Sequence, residues 1–169
     1  AAQRSIHVDE KLRVDDGASR AVSRTGVTLL VRGPLVDLTT VVTGVLRAGP
    51  TLVVMPTQSR ARGLAAAMRR LGYTTAVYPD EWARAAGGVD LVVGARATVW
   101  APTTGITSIL VIDEHDETHQ EERMPTWYAR DVAVVRGQIE NAVVVLGSAT
   151  PSMESYHNAR RGKYEIGRA

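Results

Sequence analysis

The stretch Ser108-Ile109-Leu110-Val111-Ile112-Asp113-Glu114-His115 decides the fold class of this protein. Its apolar run lacks polar alternation, which predicts a strand covered on both faces, as in parallel sheets flanked by helices. The acidic pair that ends the run falls at the carboxyl end of that strand, where open α/β sheets bind their ligands. One stretch therefore predicts both the architecture and the edge of the sheet that holds a site.

Further apolar runs alternate with amphipathic stretches along the rest of the chain. We predict strands over residues 27–32, 51–56, 74–79, 90–95, 108–113 and 142–148, and helices over residues 38–46, 58–71, 80–86, 129–139 and 152–161. This alternation indicates an α/β fold in three layers, with a mainly parallel sheet flanked by helices. The polar residues 1–26 are interpreted as a linker or a lead-in segment.

Length and composition narrow the class of protein. The chain has 169 residues, of which 44% are hydrophobic and 22% charged, as expected for one globular domain. It has no cysteine, which excludes thiol chemistry and cysteine-ligated zinc, and its net charge of +2 does not by itself indicate nucleic-acid binding. No apolar run approaches the roughly 20 residues of a membrane span. We therefore expect a cytoplasmic protein with no membrane partner.

Two readings of the acidic strand end remain open. Asp113 and Glu114 have the arrangement that holds magnesium and orients an attacking water in phosphoryl transfer, although a solvated acidic turn would look the same. Alternatively, His115 and His119 have the i, i+4 spacing of zinc-binding helices, which would make the protein a metal-dependent hydrolase.

Two other strand ends are candidates for a site. Residues 32–40 lie where a phosphate-binding loop would open a helix, but the stretch lacks the glycines and the lysine of such loops, so the residues alone favour an ordinary strand-to-helix turn. Residues 147–152 put small hydroxyl side chains after the last strand. Thr150 as N-cap and Pro151 at the first helical position would make this segment a simple helix start.

Together, Ile112-Asp113-Glu114-His115 and Gly147-Ser148-Ala149-Thr150-Pro151-Ser152 resemble motifs II and III of superfamily 2 helicases. Residues 94–102, 127–133, 152–156 and 162–164 further resemble the PriA family of replication restart helicases. The resemblance covers roughly residues 27–166 and corresponds to the first RecA-like helicase lobe, a fold of the P-loop NTPase type. It implies that residues 167–169 begin a connection to a second lobe outside this chain. The family's zinc-binding region would also lie downstream.

The resemblance assigns ATP and magnesium to this lobe and names its nucleotide site. Gly33, Thr39 and Thr40 would be what remains of the phosphate loop. Asp113, Glu114 and His115 would be the catalytic motif II, with Asp113 holding magnesium if nucleotide binds, and the coupling motif III would comprise Gly147, Ser148 and Thr150.

Departures from the family pattern predict that this site has decayed. Val36 and Leu38 stand where the family has glycines, Thr39 stands for the lysine, and motif II is one residue short. The pattern is similar to that of degenerate PriA-like proteins of actinobacteria. We expect weak or absent ATP hydrolysis, with an active ATP-dependent 3′-to-5′ DNA helicase as the alternative.

The segment after motif II corresponds to an aromatic-rich loop that contacts DNA in the family. We expect Trp127, Tyr128 and Arg130, with Arg96 nearby, to bind DNA, because aromatic faces stack on unpaired bases and arginines contact phosphates. The alternative is that the two aromatic rings only pack against the following helix. The partners implied by the resemblance are single-stranded or forked DNA, together with primosome and single-strand-binding proteins.

Overall fold

The computed structural model describes residues 15–23, 26–33 and 36–168. Most of the predicted lead-in segment, two residues of the phosphate loop and the last residue of the predicted connection lie outside this description. The rest of the lead-in segment contains helix α1 (Asp16–Val22), whose N-cap is Asp15 and which packs against the next helix.

The described residues form a seven-stranded parallel sheet with helices on both faces. The strand order is β3-β4-β2-β5-β8-β1-β9. The strands are β1 (Val27–Val31), β2 (Thr51–Val54), β3 (Thr75–Tyr78), β4 (Leu91–Gly94), β5 (Ser108–Ile112), β8 (Val143–Ser148) and β9 (Glu165–Arg168). The helices after α1 are α2 (Leu38–Leu46), α3 (Gln58–Arg70), α4 (Trp82–Ala86), α5 (Ala129–Glu140) and α6 (Met153–Arg160).

Burial of the central strands explains why the sequence adopts this architecture. Every residue of β5 is buried, and this strand pairs in parallel with β2 on one side and β8 on the other. Alternate side chains of the sheet supply two apolar cores, one beneath α1, α2 and α3 and the other beneath α5 and α6. Covering both faces removes a large apolar area from water, and the predicted three-layer α/β class is confirmed.

All six predicted strands are present, each one or two residues shorter than expected. The seventh, β9, was missed because its short, mostly exposed sequence has no apolar run, and it forms only by pairing with β1. Residues 167 and 168 therefore belong to the sheet rather than to the connection predicted there. Helix α6 begins one residue later than predicted, and the alternative in which Thr150 is its N-cap is wrong, because Ser152 accepts the capping hydrogen bond from the Ser155 N–H.

A short antiparallel hairpin leaves the sheet after β5. It comprises β6 (Gln120–Glu121) and β7 (Trp127–Tyr128), and it follows a 3-10 helix over Glu117–His119. A second 3-10 helix, Arg96–Trp100, follows β4 and packs against α5. No helix within the described ranges is long and apolar enough to cross a membrane.

Candidate functional site

The strand order brings three of the predicted segments to one edge of the sheet. β8 lies between β5 and β1, so their carboxyl ends are adjacent. Asp113 follows β5, Ser148 ends β8, and Arg32 follows β1. The helix after β2 starts beside the same edge, which adds the first turn of α3 to the site.

Asp113 is held between two arginines. Arg32 Nη2 lies 2.5 Å from Asp113 Oδ1, and Arg60 Nη1 donates a 2.9 Å hydrogen bond to Oδ2. The side chain of Arg32 is only 9% exposed and that of Asp113 16%, whereas Arg60 is 47% exposed. Asp113 also adopts a left-handed backbone conformation, with φ of 52°, which turns the chain sharply at the end of the strand.

These contacts fix the charge state of the carboxylate. Burial raises the pKa of Asp113, but hydrogen bonds from Arg60 and Arg32 and the charges of both guanidinium groups lower it by more. The net effect is a pKa below the ordinary value of an aspartate. Asp113 is therefore an ionised side chain whose charge is already neutralised by this chain's own residues.

Asp37 occupies the N-cap of α2 within the stretch that was predicted to be a degenerate phosphate loop. Asp37 caps α2: its Oδ1 accepts from the Thr39 N–H at 2.9 Å, and its Oδ2 accepts from the Thr39 hydroxyl at 2.8 Å. Thr40 donates its hydroxyl to the Asp37 carbonyl at 2.7 Å, and Gly33 is exposed. A carboxylate thus lies at the helix N-terminus, where a phosphate would otherwise bind.

Side chains of this chain already contact the two groups at which the resemblance expects magnesium and a phosphate. A magnesium ion bound through Asp113 would have to displace two guanidinium groups, one of them buried. A terminal phosphate at α2 would meet the Asp37 carboxylate without a lysine to compensate, because position 39 is threonine. Arg32 and Arg60 thus neutralise the Asp113 carboxylate, and the Asp37 carboxylate accepts the hydrogen bonds at the N-terminus of α2.

The carboxylate of Glu114 is buried and holds neighbouring elements together. Its side chain is fully buried, and its two oxygens accept hydrogen bonds from the Ser152 N–H, the Ser152 hydroxyl and the Ser155 hydroxyl at 2.7–2.9 Å. Arg130 Nη1 lies 3.2 Å from Oε2. The carboxylate therefore anchors the N-terminus of α6 to the end of β5.

His115 links motif II to motif III. Its Nδ1 lies 2.7 Å from the Ser148 hydroxyl and its Nε2 lies 3.3 Å from the Thr150 hydroxyl. Gly147 pairs with Ile112 in the sheet and accepts the Glu114 N–H through its carbonyl. The structure thus brings together all six residues that were predicted for these two motifs.

The zinc-site alternative is contradicted by the geometry. His119 is fully buried, and its Nε2 donates to the Ile112 carbonyl oxygen at 2.8 Å, while His115 is bound to motif III. The described part of the chain contains no group of three or more histidine, cysteine or acidic side chains that could hold a metal ion. Burial lowers the pKa of His119 and keeps its ring neutral, as suits a structural hydrogen bond.

The predicted DNA-contacting residues cluster around the hairpin. The Trp127 ring packs edge-on against Trp100, with ring centroids 5.7 Å apart. Tyr128 is 39% exposed. Arg96 forms a 3.0 Å ion pair with Glu121, which links the 3-10 helix after β4 to the hairpin.

Arg130 connects this hairpin to the strand ends. Its guanidinium lies over the Tyr128 ring, 5.7 Å from the centroid, and it also contacts Ser152 Oγ at 2.9 Å. Burial lowers the pKa of Arg130, but Asp131 and Glu114 raise it by more. The side chain is only 11% exposed, so it links the hairpin to α6 rather than presenting a charge to solvent.

Sequence reasoning missed Arg32, Arg60 and Asp37. Arg60 lies in the first turn of α3, which begins beside β5, and its guanidinium reaches Asp113. Arg32 directly follows an apolar strand, and a charged residue at a strand end is the signal that pointed to Asp113. The same rule selects the strand end at residues 32–40, but nothing in the sequence pairs Arg32 with Asp113.

Solved structures define the class of fold. The chain matches a hypothetical ATP-dependent RNA helicase from Sulfolobus tokodaii with a TM-score of 0.64 and 18% identity, covering 94% of this chain and 53% of that one. It matches the Hef helicase domain of Pyrococcus furiosus with a TM-score of 0.60 and 16% identity, covering 89% and 36%. The chain therefore has the RecA-like fold of a helicase lobe, as predicted.

The sequence relatives indicate a narrower class of protein than the fold does. The chain is 39% identical over 105 residues to the replication restart protein PriA of Bacillus subtilis, covering 62% of this chain and 13% of that protein. It is 44% identical over 87 residues to PriA of Chlamydia trachomatis, covering 50% and 12%. No protein-family model matches the chain. The predicted resemblance to PriA is confirmed, and the chain spans only about an eighth of these relatives' length.

Proposed function

We propose that this chain is a PriA-like replication restart lobe that contacts single-stranded or forked DNA and has lost its ATP site. The observation that supports the loss most directly is the clamp on Asp113 by Arg32 and Arg60. Two relatives named replication restart proteins support the biological process. The proposal assigns DNA contact to the hairpin and a structural role to motifs II and III.

The expected loss of affinity for ATP follows from the hydrogen-bond donors that its phosphates would lack in this chain. A charge-assisted hydrogen bond contributes about 1.5–3 kcal/mol. A threonine at position 39, where the family has a lysine, therefore lowers the affinity for ATP roughly 10- to 150-fold. The Asp37 carboxylate at the α2 N-terminus adds repulsion to that loss. Together these terms weaken nucleotide binding by more than the loss of the lysine alone.

Calorimetric titration of ATP with magnesium tests the decayed site. We expect no saturable binding at micromolar nucleotide by the wild-type chain. Saturable binding that Asp113→Asn weakens would overturn this part of the proposal and favour an active ATP-dependent helicase domain. The Asp80→Asn variant is the matched control, because Asp80 forms an exposed ion pair with Arg62 away from motif II.

DNA contact is assigned to the exposed face of Tyr128 and to the neighbouring Trp127 of the hairpin. An aromatic ring stacked on an unpaired base contributes about 1–3 kcal/mol. Tyr128→Ala is therefore expected to weaken the binding of a labelled single-stranded oligonucleotide by about fivefold or more, measured by fluorescence anisotropy. Tyr156→Ala on α6 is the control, since that ring is also half exposed but lies outside the hairpin. Equal affinities for the two variants would remove the hairpin from the DNA interface.

Primosome and single-strand-binding proteins are the further partners that this function implies, and the cytoplasm is where they would meet. We propose these partners for a protein of the relatives' full length, of which this chain spans about an eighth. Co-purification of such proteins with the chain, abolished by nuclease treatment, would assign the association to shared DNA rather than to this lobe.

A further inference from the structure

An apolar groove lies between α5 and the 3-10 helix Arg96–Trp100. Its volume is about 500 Å³, and three large apolar side chains line it while facing solvent. Trp100 is 58% exposed, Val135 53% and Ile139 78%. Contiguous exposed apolar surface of this kind is typical of interaction sites.

The exposed side chains of Val135 and Ile139 do not take part in packing α5 against the sheet. Helix α5 packs on the sheet through the small residues Ala129, Ala133 and Gly137, which recur every four positions and are buried. A Cβ at position 137 would lie 2.9 Å from the Ala142 carbonyl oxygen, so the helix sits close against β8. Val135 and Ile139 belong to a second stripe that points away from this contact.

The rim of the groove presents carboxylates to solvent. Arg136 is only 13% exposed, and it donates to the Val99 carbonyl, the Thr103 hydroxyl and Glu140 at 2.7 Å each. Its guanidinium is therefore turned inward. Asp131 is 60% exposed and Glu140 32%, and a carboxylate has acceptor sites beyond the one that each uses here.

We propose that this groove, between Trp100 and the Val135–Ile139 stripe, docks a basic amphipathic helix of a partner protein. Asp131 and Glu140 are nine positions apart on α5, a rise of about 13–14 Å along its axis and two and a half turns, so they flank the Val135–Ile139 stripe from opposite sides, over a length that matches two to three turns of a docked helix. Apolar side chains at i and i+4 of the partner fill the groove, and its Lys or Arg side chains pair with the two carboxylates. DNA fits this surface poorly because its phosphates would meet those carboxylates.

Two synthetic peptides of about 14 residues test the proposal, one a helix of Leu and Lys and the other its Leu and Glu counterpart. Binding is measured by anisotropy of the labelled peptide and by the fluorescence of the chain's tryptophans. We expect saturable binding of the Leu/Lys helix only. Ile139→Ser should weaken it about tenfold, since a buried isoleucine contributes about 1.5–3 kcal/mol, and Asp131→Asn by about two- to fivefold.

Met153→Ser is the matched control, because Met153 is 82% exposed and lies on α6 outside the groove. Equal effects of the two serine variants, or equal binding of both peptides, would overturn the proposal. Sedimentation that shows a dimer abolished by Ile139→Ser would assign the face to self-association instead. Loss of single-stranded DNA binding in the same variant would assign it to DNA.

Discussion

The guanidinium of Arg32 joins the carboxylate of Asp113 across a strand that lies between them. Arg32 follows β1 and Asp113 follows β5, and β8 separates these strands in the sheet. The 2.5 Å contact therefore joins the ends of β1 and β5 across β8, at the carboxyl edge where open α/β sheets bind their ligands. In this chain an internal ion pair stabilises that edge.

Removal of Arg32 is expected to destabilise the protein. Arg32→Ala leaves a mostly buried Asp113 with one exposed guanidinium, at a cost of about 1–3 kcal/mol, less than for a fully buried pair because Arg60 remains. Urea denaturation measures the change. Arg62→Ala is the matched control, because its ion pair with Asp80 is exposed and contributes about 0–1 kcal/mol. An equal decrease in the free energy of unfolding in both variants would show that the Arg32–Asp113 contact stabilises the fold no more than an exposed ion pair does.

Loss of the Glu114 carboxylate is expected to be the more damaging change. Glu114→Ala leaves three serine donors without their acceptor and removes one of the two close carboxylates of the mostly buried Arg130, which costs about 3–5 kcal/mol. Thermal or urea denaturation should show the loss directly. Glu154→Ala is the control, since that carboxylate is 70% exposed and 3.9 Å from Arg130, and it should change stability by less than about 0.5 kcal/mol. A mild effect at Glu114 would contradict its role as an anchor of α6.

The buried His119 makes stability depend on pH in a specific direction. Burial lowers its pKa in the folded protein, so below the ordinary histidine pKa of about 6.5 the unfolded chain binds a proton that the folded chain does not. The free energy of unfolding is therefore expected to fall as the pH drops through that value toward the lower folded pKa.

Urea denaturation between about pH 7.5 and pH 5 measures this slope. His119→Gln keeps an N–H that can donate to the Ile112 carbonyl but does not titrate, so it should reduce the slope. His157→Gln on α6, at an exposed position, should leave the slope unchanged. Identical slopes in the wild type and the His119 variant would show that this ring does not titrate on unfolding.

Two glycine-to-alanine changes are expected to have opposite signs. A Cβ on Gly94, at the end of β4, would clash with the Tyr78 carbonyl oxygen and the Thr98 hydroxyl, at a cost of about 1–3 kcal/mol. A Cβ on Gly63, within α3, meets no heavy atom within 4 Å, so Gly63→Ala should stabilise by about 0.5–1 kcal/mol through helix propensity. Chemical denaturation of both variants measures the pair, and a stabilised Gly94→Ala would mean that β3 and β4 can separate at little cost.

Much of the fold could be predicted because the central strands are continuous apolar runs. Runs such as Ile109 to Ile112 are stable only when both faces are covered, and that requirement alone implies helices above and below a parallel sheet. Strand β9 could not be predicted this way, because its residues are mostly exposed and only the adjacent edge of β1 gives them a partner.

The candidate site was predictable in its location and not in its internal chemistry. The strand-end rule placed Asp113, Glu114 and Ser148 at one edge, and the structure brings them there. It could not show that Glu114 would be enclosed by serines of α6, because 38 to 41 residues separate these partners in sequence.

By itself the sequence determined the α/β class, the strand ends at the site and the resemblance to PriA, because these depend on local apolar patterning and on residue identity. Only the tertiary structure decided that Arg32 and Arg60 neutralise Asp113, that Asp37 caps α2, and that His119 is a structural residue. Those outcomes depend on which side chains the sheet order brings within hydrogen-bond distance. Strand order is a long-range property that burial and packing settle together, and no local stretch of sequence encodes it.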